Sequence, residues 1–402
     1  MQVANSDSVK PVPLDSLDHG PGHLGRDREL ALSDPHPPAN RADARADWCH
    51  SRTMAAVGYP GLIGDVCRPG PTPHPGRCTL PPMARRLRVA VLGAGAVGGY
   101  YGKRLADGGA AVTLIARGRH LEALQRDGLT IVEPEGTTTT AFEATDDPAA
   151  VGPVDVVLFC VKSYDTDAAA HTLGPLVRDG TAVISLQNGI DNEERIAAVI
   201  GREHVVGGAA YILAAVREPG VVEAGGPRQI VIGEMEPGPP SERVSRIVDI
   251  GNAAGLTVVA APDVRVALWE KYVLLVAFSA MSASVRLGIG AIRDAPAART
   301  MLGSIMTEAW TLGRASGVPL ADDLVDRQME LLLSRNDDAT ASLYHDLVTG
   351  HRMETDALQG AAIRLGRSLG IPTPSLDAAY AIPEPWTLRN ARRAEEPDPV
   401  PA

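Results

Sequence analysis

The chain has 402 residues, which is enough for two or three domains, and 45% of them are hydrophobic, which is enough for sizeable cores. A formal net charge of −11 and the lack of a long basic stripe argue against a nucleic-acid partner. No apolar run reaches the roughly 18 residues of a membrane span, and no secretory signal opens the chain. The 4 cysteines match no zinc spacing. We therefore expect a reduced, soluble, cytoplasmic protein without a metal site or a membrane partner.

Residues 1–82 differ in composition from the rest of the chain. They are dense in Pro, His, Asp, Arg and Gly and show no sustained period of 2 or 3.6 residues. Such a segment buries too little apolar surface to offset the entropy lost on ordering. Because Met83 opens MARRLRVAVLGAGAVGG, which is how a βαβ protein begins, we expect 1–82 to be a disordered extension or a start placed too early. A regulatory tail or a targeting segment is the alternative.

Residues 83–262 alternate between apolar strands and amphipathic helices. The patterns predict strands at 89–92, 129–132, about 138–144, 154–161, 181–185 and 256–260, a strand ending at 116, and three short strands within 204–234. They predict helices at 97–107, 119–127, 163–177, 191–200 and 241–254. Near-continuous apolar strands separated by helices are typical of a parallel sheet covered on both faces. We expect a doubly wound α/β domain.

Residues 263–386 carry helix signals only. Helices are predicted at 264–285, 297–316, 321–334, 342–347, 354–369 and 376–381. The segment is long enough for an all-α second domain. The charged and proline-rich residues 387–402 are expected to form a frayed tail.

A glycine turn joins the first strand of the α/β domain to its first helix. It reads Gly93, Ala94, Gly95, Ala96, Val97 and Gly98, which fits G-x-G-x-x-G in a strand–turn–helix context. Gly93 allows the tight turn, Gly95 lets a pyrophosphate approach the backbone, and Gly98 lets helix and strand pack closely. The turn predicts a Rossmann-type dinucleotide site, with an ordinary glycine-rich turn as the alternative.

The end of the second strand discriminates between the two nicotinamide dinucleotides. NAD-binding versions of this fold place an acidic residue there, for the ribose 2′-hydroxyl. Here the strand is followed by Arg117, whose guanidinium suits a 2′-phosphate. The residue favours NADP(H), unless Arg117 merely starts a surface helix.

Several blocks, in this order and spacing, resemble the ketopantoate reductase (2-dehydropantoate 2-reductase) family. They are VLGAGAVGGYYG, CVKSYDT, SLQNGIDNEE, LWEKYV and ASLYHDLVTGHRMETDALQGAAIRLGRSLGIPTP. The resemblance spans about 87–386 and implies a Rossmann domain, a helical domain and an active site in the cleft between them. It further implies reduction of a small 2-keto acid with NADPH, ketopantoate to pantoate in the named member, for pantothenate biosynthesis. A homodimer through the helical domain is plausible for this family.

Two residues match the family's catalytic positions. Lys271, in LWEKYV, matches a catalytic lysine, which as an acid can polarise the carbonyl and protonate the developing alkoxide. Glu354 matches an acid that binds and orients the substrate hydroxyl. The alternatives are a surface lysine paired with Glu270 and an acid that favours a helix N-terminus. Asp356 is expected to be structural.

Further matches concern binding of the substrate and the cofactor. Ser342 corresponds to a substrate-binding serine, with a helix N-cap as the alternative. Lys162 and Asn188 follow apolar strands whose carboxyl ends face the cleft, and they match positions near the nicotinamide and the substrate. The alternative for Asn188 is an ordinary Asn-Gly turn.

The chain departs from the family at two positions after the catalytic lysine. Where the best-known members have substrate-binding asparagines, it has Leu275 and Ser279, and it has Gln359 where Asn is usual. Ser279 could replace one amide in part, but Leu275 cannot. Each lost amide contact costs about 1–3 kcal/mol if it leaves a buried partner unsatisfied. A ketopantoate reductase, a reductase of a different 2-oxo acid, and a non-catalytic NADP(H) sensor therefore remain the competing interpretations.

Overall fold

The computed structural model describes residues 86–395, so the predicted extension 1–82 lies outside the described residues. Within them, the strands are β1 Arg88–Leu92, β2 Ala111–Ile115, β3 Leu129–Glu133, β4 Gly136–Thr140, β5 Glu143–Thr145, β6 Val156–Phe159, β7 Ala182–Ser185, β8 Val205–Glu218, β9 Val221–Glu234 and β10 Thr257–Ala260. The helices of this part are α1 Ala96–Asp107, α2 Gly118–Asp127, α3 Pro148–Val151, α4 Thr166–Ala170, α5 Asn192–Ile200 and α6 Glu242–Ala253.

The ten strands form one mixed sheet in the order β4-β3-β9-β8-β7-β6-β1-β2-β5, with β10 paired to β9. β1 lies between β2 and β6 and is parallel to both. Every residue of β6 and β7 is buried, as expected for parallel strands covered on both faces. The strand order reverses at β1, because β2 follows on one side of it while β6 and β7 lie on the other. In open α/β sheets, ligands bind at the carboxyl end of the strands where the order reverses. The predicted doubly wound fold class is confirmed.

Three predictions within the α/β domain are wrong. The strand expected at about 138–144 is divided between β4 and β5, which lie at opposite edges of the sheet. The three short strands expected in 204–234 are two 14-residue strands, β8 and β9. The glycines that suggested a turn lie in an irregularity of β9, where Gly226 and Arg228 have φ of 76° and 54° and the register skips from Tyr211–Gln229 to Leu213–Gly225. The helix expected at 163–177 is broken, because only Thr166–Ala170 is α-helical, between short 3₁₀ turns at Ser163–Asp165 and Gly174–Leu176.

From Val264 to Glu395 the described chain is helical. Its helices are α7 Val264–Val285, α8 Ile289–Asp294, α9 Pro296–Ala315, α10 Leu324–Leu333, α11 Ser342–Thr349, a π-helical turn Asp356–Gly360, α12 Ala361–Leu369, α13 Pro374–Ala381 and α14 Glu384–Glu395. α7 has the predicted bounds, and Asp263 caps its N-terminus by accepting a hydrogen bond from Arg265 N at 3.1 Å. Among the described helices it alone is long and apolar enough to cross a membrane, but 72% of its apolar 18-residue stretch is buried in the protein. It is the central helix of this domain.

The tail predicted for 387–402 is wrong as far as Glu395, because α14 continues through it. The ring of Trp386 packs against a small cluster of buried residues that includes Met353. Asn390 Nδ2 donates to Asp346 O at 3.3 Å and to His351 O at 2.9 Å, and Thr387 Oγ1 lies 2.8 Å from Thr355 Oγ1. The last helix therefore supports the segment from Asp346 to Thr355.

Candidate active site

The glycine turn has the stereochemistry that a dinucleotide site requires. Gly93 has φ of 90°, and a Cβ there would lie 2.6 Å from Val161 N, so a side chain is excluded. A Cβ on Gly98 would lie 2.4 Å from Gly93 O, whereas the space beside Gly95 is open to 4 Å. α1 has no side-chain cap and no acidic residue in its first turn, so its first N–H groups are available to phosphate oxygens. The residues fit a bound pyrophosphate.

His120, which the sequence analysis missed, supports this turn from α2. Its Nε2 lies 2.8 Å from Ala94 O, and its Nδ1 accepts a hydrogen bond from Gly220 N at 3.1 Å. Because Nδ1 accepts, the ring proton is on Nε2, and the imidazole donates to the carbonyl of the turn. A histidine in an exposed-looking helix gave no sequence signal for this contact.

Arg117 lies where the sequence placed it, at the N-cap of α2 directly after β2. Arg117 is exposed, and its guanidinium forms no ion pair with any residue in 86–395. It is therefore free to meet an anion at the carboxyl edge of the sheet.

The turn after β6 joins the two domains through ion pairs. Lys162 Nζ lies 3.1 Å from Glu354 Oε2 and 3.2 Å from Asp346 Oδ2. Ser163 donates to Glu354 Oε1 from its backbone N at 2.9 Å and from its Oγ at 2.8 Å. Since Gly93 abuts Val161, this cluster is next to the glycine turn.

The cluster holds Glu354 as a carboxylate. Burial by itself would raise its pKa, but the charge of Lys162 and the two hydrogen bonds from Ser163 lower the pKa below its usual value. For Lys162, burial works against the charge, yet Glu354 and Asp346 raise the pKa of the ammonium. Burial raises the pKa of Asp346, Lys162 opposes that rise, and the charge of Glu354 adds to it. Lys162 is therefore permanently charged near neutral pH.

Lys271 lies in the second turn of α7, at the boundary of the two domains. Its side chain is partly buried, and burial lowers its pKa from 10.5 to about 8, although Glu193 and Glu354 act in the opposite direction. Glu270, the predicted partner in the surface alternative, instead faces Arg327, 3.9 Å away. An ammonium with a pKa near neutrality is suited to general-acid chemistry.

The remaining predicted residues differ in their surroundings. Ser342 is exposed and is not the N-cap of α11, because Ala341 occupies that position; it lies one helical turn before Asp346, on the same face. Asn188 is partly exposed, and its side-chain amide has no hydrogen-bond partner among residues 86–395. Ser279, two turns after Lys271, is fully buried, and its Oγ has no partner among the described groups. Asp356 pairs with Arg364 at 2.6 Å, outside this cluster.

Two family descriptions match this chain. "Ketopantoate reductase PanE/ApbA" matches residues 89–237, and "Ketopantoate reductase PanE/ApbA C terminal" matches residues 263–384. The chain belongs to the ketopantoate reductase family. A 2-dehydropantoate 2-reductase of Halobacterium salinarum is 33% identical over 290 residues, which cover 72% of this chain and 95% of that protein. The resemblance drawn from the sequence blocks is thus confirmed.

Solved structures agree with this assignment. A PanE/ApbA family ketopantoate reductase from Ralstonia eutropha superposes with a TM-score of 0.69 at 33% identity, covering 76% of this chain and 100% of that one. A D-mandelate dehydrogenase solved with NADH and anilino(oxo)acetate has a TM-score of 0.69 at 19% identity, covering 76% of this chain and 99% of that one, which shows a shared fold. Members of this family have a dinucleotide-binding oxidoreductase fold, so the assignment supports a nicotinamide cofactor.

The structure adds residues to the site that sequence reasoning did not single out as functional. Asp346 forms an ion pair with Lys162, and Ser163 donates a hydrogen bond to Glu354. The charge of Glu193 opposes the lowering of the Lys271 pKa by burial. The position of Asp346, one turn after Ser342 on a helix, was a usable signal. The burial of Glu193 could not be predicted from the sequence, because the exposed Glu194 beside it has the same local context.

Proposed function

We propose that the protein catalyses NADPH-dependent reduction of 2-dehydropantoate to pantoate in the cytoplasm, as a step of pantothenate biosynthesis. The observation that carries the proposal is Lys271, an amine at the domain boundary with a pKa of about 8, in a chain of this family. A homodimer stays a prediction from the family resemblance.

The proposed cofactor site combines the glycine turn with Arg117. The uncapped start of α1 and the open side of Gly95 would hold the pyrophosphate, and Arg117 would pair with a 2′-phosphate. The adjoining Lys162 and Asn188 would line the nicotinamide end. Bound NADPH supplies the hydride that reduces the carbonyl carbon.

Lys271 is assigned the proton. Below about pH 8 its amine is an ammonium, which can donate a hydrogen bond to the ketone oxygen and then transfer its proton as the alkoxide forms. The ketone thereby becomes an alcohol, and Lys271 is left neutral until solvent returns a proton. A non-catalytic sensor would not need a partly buried amine with this pKa.

Glu354, Asn188 and Ser342 are assigned to the substrate. Ser163 N and Oγ both donate to Glu354 Oε1, whereas Oε2 accepts only from Lys162 and keeps lone-pair capacity for a substrate hydroxyl. The side-chain amide of Asn188 and the hydroxyl of Ser342, which does not cap α11, are available for the remaining oxygens of the substrate.

A second candidate is reduction of a different, more apolar 2-oxo acid. Leu275 packs against the apolar core of the helical domain, and Ser279 is fully buried. The amides that bind substrate at these positions in the best-known members are thus replaced by an apolar side chain and a hydroxyl without a partner among the described groups.

The test is NADPH oxidation by the purified protein against a panel of 2-keto acids that includes ketopantoate. Turnover of ketopantoate with the highest kcat/KM supports the first candidate, whereas preference for a bulkier apolar keto acid supports the second. Turnover of none of them would refute both. Lys271→Ala should remove the turnover, and if it does not, the assignment of the proton to Lys271 is wrong.

A further inference from the structure

The backbone N–H groups of the glycine turn fall into two sets. Those of Gly93 and Ala94 both donate to Ile115 O, at 3.1 and 3.0 Å, so the sheet already uses them. Those of Gly95 and Ala96 have no hydrogen-bond acceptor among residues 86–395, and α1 has no side-chain cap. Only the second set is free to bind an anion, and its direction is therefore decisive for the cofactor.

The peptide that joins Ala94 to Gly95 is oriented through its carbonyl group. The first hydrogen bond of α1 runs from Gly99 N to Gly95 O at 2.8 Å, so Ala94 O lies outside the helix. Ala94 O instead faces His120 Nε2 at 2.8 Å. In a planar trans peptide the C=O and the next N–H point in opposite directions, and the described part of the chain has no cis peptide bond. A group that fixes Ala94 O therefore also fixes the direction of the Gly95 N–H.

The ring of His120 is itself held at both nitrogens. Its Nδ1 accepts a hydrogen bond from Gly220 N at 3.1 Å, and Gly220 lies in the turn between β8 and β9 with φ of 80°. This turn approaches α2 closely, because a Cβ on Gly220 would lie 3.1 Å from Ala123 Cβ. With Nδ1 as the acceptor, the ring proton is on Nε2 and is donated to Ala94 O. The imidazole thus braces the glycine turn against the turn between β8 and β9.

The same helix carries the residue assigned to the 2′-phosphate. Arg117 is the N-cap of α2 and His120 is the third residue of the helix, so one helical turn contains both. Arg117 is exposed, whereas His120 is partly buried. The start of α2 thus supplies one side chain that would contact the cofactor and one that supports the glycine turn.

We propose that His120 is a positioning residue of the dinucleotide site, which directs the Gly95 N–H towards the pyrophosphate of the cofactor. This role rests on the proposed function, in which NADP(H) binds at the glycine turn. His120 does not touch the cofactor; it acts through the peptide between Ala94 and Gly95. Because that peptide is fixed before binding, its N–H can bond a phosphate oxygen without the cost of ordering the turn.

Two substitutions separate the two hydrogen bonds of His120. Gln places an amide nitrogen at the position of Nε2 and keeps the donor to Ala94 O, whereas Asn places an oxygen at the position of Nδ1 and keeps the acceptor for Gly220 N. In a fluorescence titration, His120→Gln should bind NADPH within about threefold of the unaltered protein, and His120→Asn at least about tenfold more weakly, as for one lost hydrogen bond to a charged group. The control is His171→Asn, at an exposed histidine of the same domain, which should change nothing. Equal affinities of the Gln and Asn variants of His120, or the reverse order, would overturn the proposal.

The peptide can also be observed directly, without any cofactor. The chain has three Ala-Gly pairs, Ala94-Gly95, Ala224-Gly225 and Ala254-Gly255. Labelling the full-length protein with ¹³C-carbonyl alanine and ¹⁵N-glycine therefore leaves three coupled NMR signals, and replacing the alanine of either other pair by Ser identifies the signal of that pair. The carbonyl shift of Ala94, which follows its hydrogen bonding, should change in His120→Asn and much less in His120→Gln. A merely structural role of the ring would change it equally in both variants.

Three further outcomes are decisive. If His120→Asn does not fold, the unaltered protein still answers, because its Gly95 amide signal should shift when NADPH saturates the site, and an unmoved signal would overturn the proposal. If the unaltered protein binds no dinucleotide, the proposed function fails, whereas the carbonyl shift of Ala94 in the two variants still decides whether His120 orients the peptide. If NADPH binds equally well to all the variants, the proposed function stands and the role of His120 is refuted.

Discussion

Replacing Lys271 by Met should remove activity and stabilise the fold at neutral pH. The pKa of Lys271 is about 8 in the folded protein and 10.5 is its ordinary value. Each pKa unit corresponds to about 1.4 kcal/mol, so charging this amine costs the folded state at most about 3.5 kcal/mol. Met is unbranched and apolar and can fill the same space without that cost. The free energy of unfolding should therefore rise by roughly 1–3 kcal/mol at pH 7.

The pH dependence fixes the sign of this effect. Below about pH 8 the lysine is charged in both the folded and the unfolded state, and the folded state carries the whole cost. Between about 8 and 10.5 the folded state has released the proton while the unfolded chain retains it, so the cost shrinks and is gone above 10.5. The stability gain of Lys271→Met should be largest at neutral pH and nearly absent above that range.

Urea unfolding of the Lys271→Met variant and the unaltered protein, at neutral pH and at about pH 10, measures this gain. Lys103→Met is the control, since Lys103 is 5% exposed but pairs with Asp107 at 2.8 Å, and its loss should destabilise instead. The kcat of Lys271→Met should fall by about 10²–10⁴, as for loss of a general acid. A Lys271→Met protein that is less stable than the unaltered one at pH 7, or whose stability gain is equal at both pH values, would refute the reasoning.

Other expected results concern the cofactor site and the substrate pocket. Arg117→Asp should move the preference from NADPH towards NADH, measured as the ratio of the two kcat/KM values. An unchanged ratio would contradict the assignment of Arg117 to the 2′-phosphate. Gly93→Ala should weaken NADPH binding at least tenfold in a fluorescence titration, because its Cβ would lie 2.6 Å from Val161 N; unaltered affinity would contradict the close packing of this turn. Leu275→Asn should raise kcat/KM for ketopantoate about tenfold if the lost amide costs about 1–3 kcal/mol, and no gain would argue for a different keto acid.

Local chemistry predicted much of the fold. The helical pattern predicted the bounds of α7, and the strand–turn–helix context predicted the glycine turn. The single strand β9 could not be read in the same way, because Gly226 and the adjacent residues read as a turn unless β8 is known to pair across them. Pairing between strands is a property of the assembled sheet, not of either segment.

The site was predictable to a similar depth. Lys162, Lys271 and Glu354 could be singled out from their sequence blocks, and the structure pairs Lys162 with Glu354 at 3.1 Å. It could not be foreseen that Glu193 is buried and Glu194 is exposed, because that difference depends on how α5 packs between the domains. Tertiary packing thus gives two neighbouring carboxyl groups of the same type opposite surroundings.

The helix α14 has a practical consequence for anyone handling this chain. By composition, residues after 386 look dispensable, yet Asn390 holds the carbonyls of Asp346 and His351, and Thr387 contacts Thr355. Truncation at 386 would remove these contacts from the loop that carries Glu354, so we expect a folded α/β domain with impaired substrate binding, measurable as a raised KM for the keto acid at an unchanged affinity for the dinucleotide. An affinity tag fused close to Glu395 is exposed to the same risk, whereas one joined ahead of residue 83 is remote in sequence from this loop.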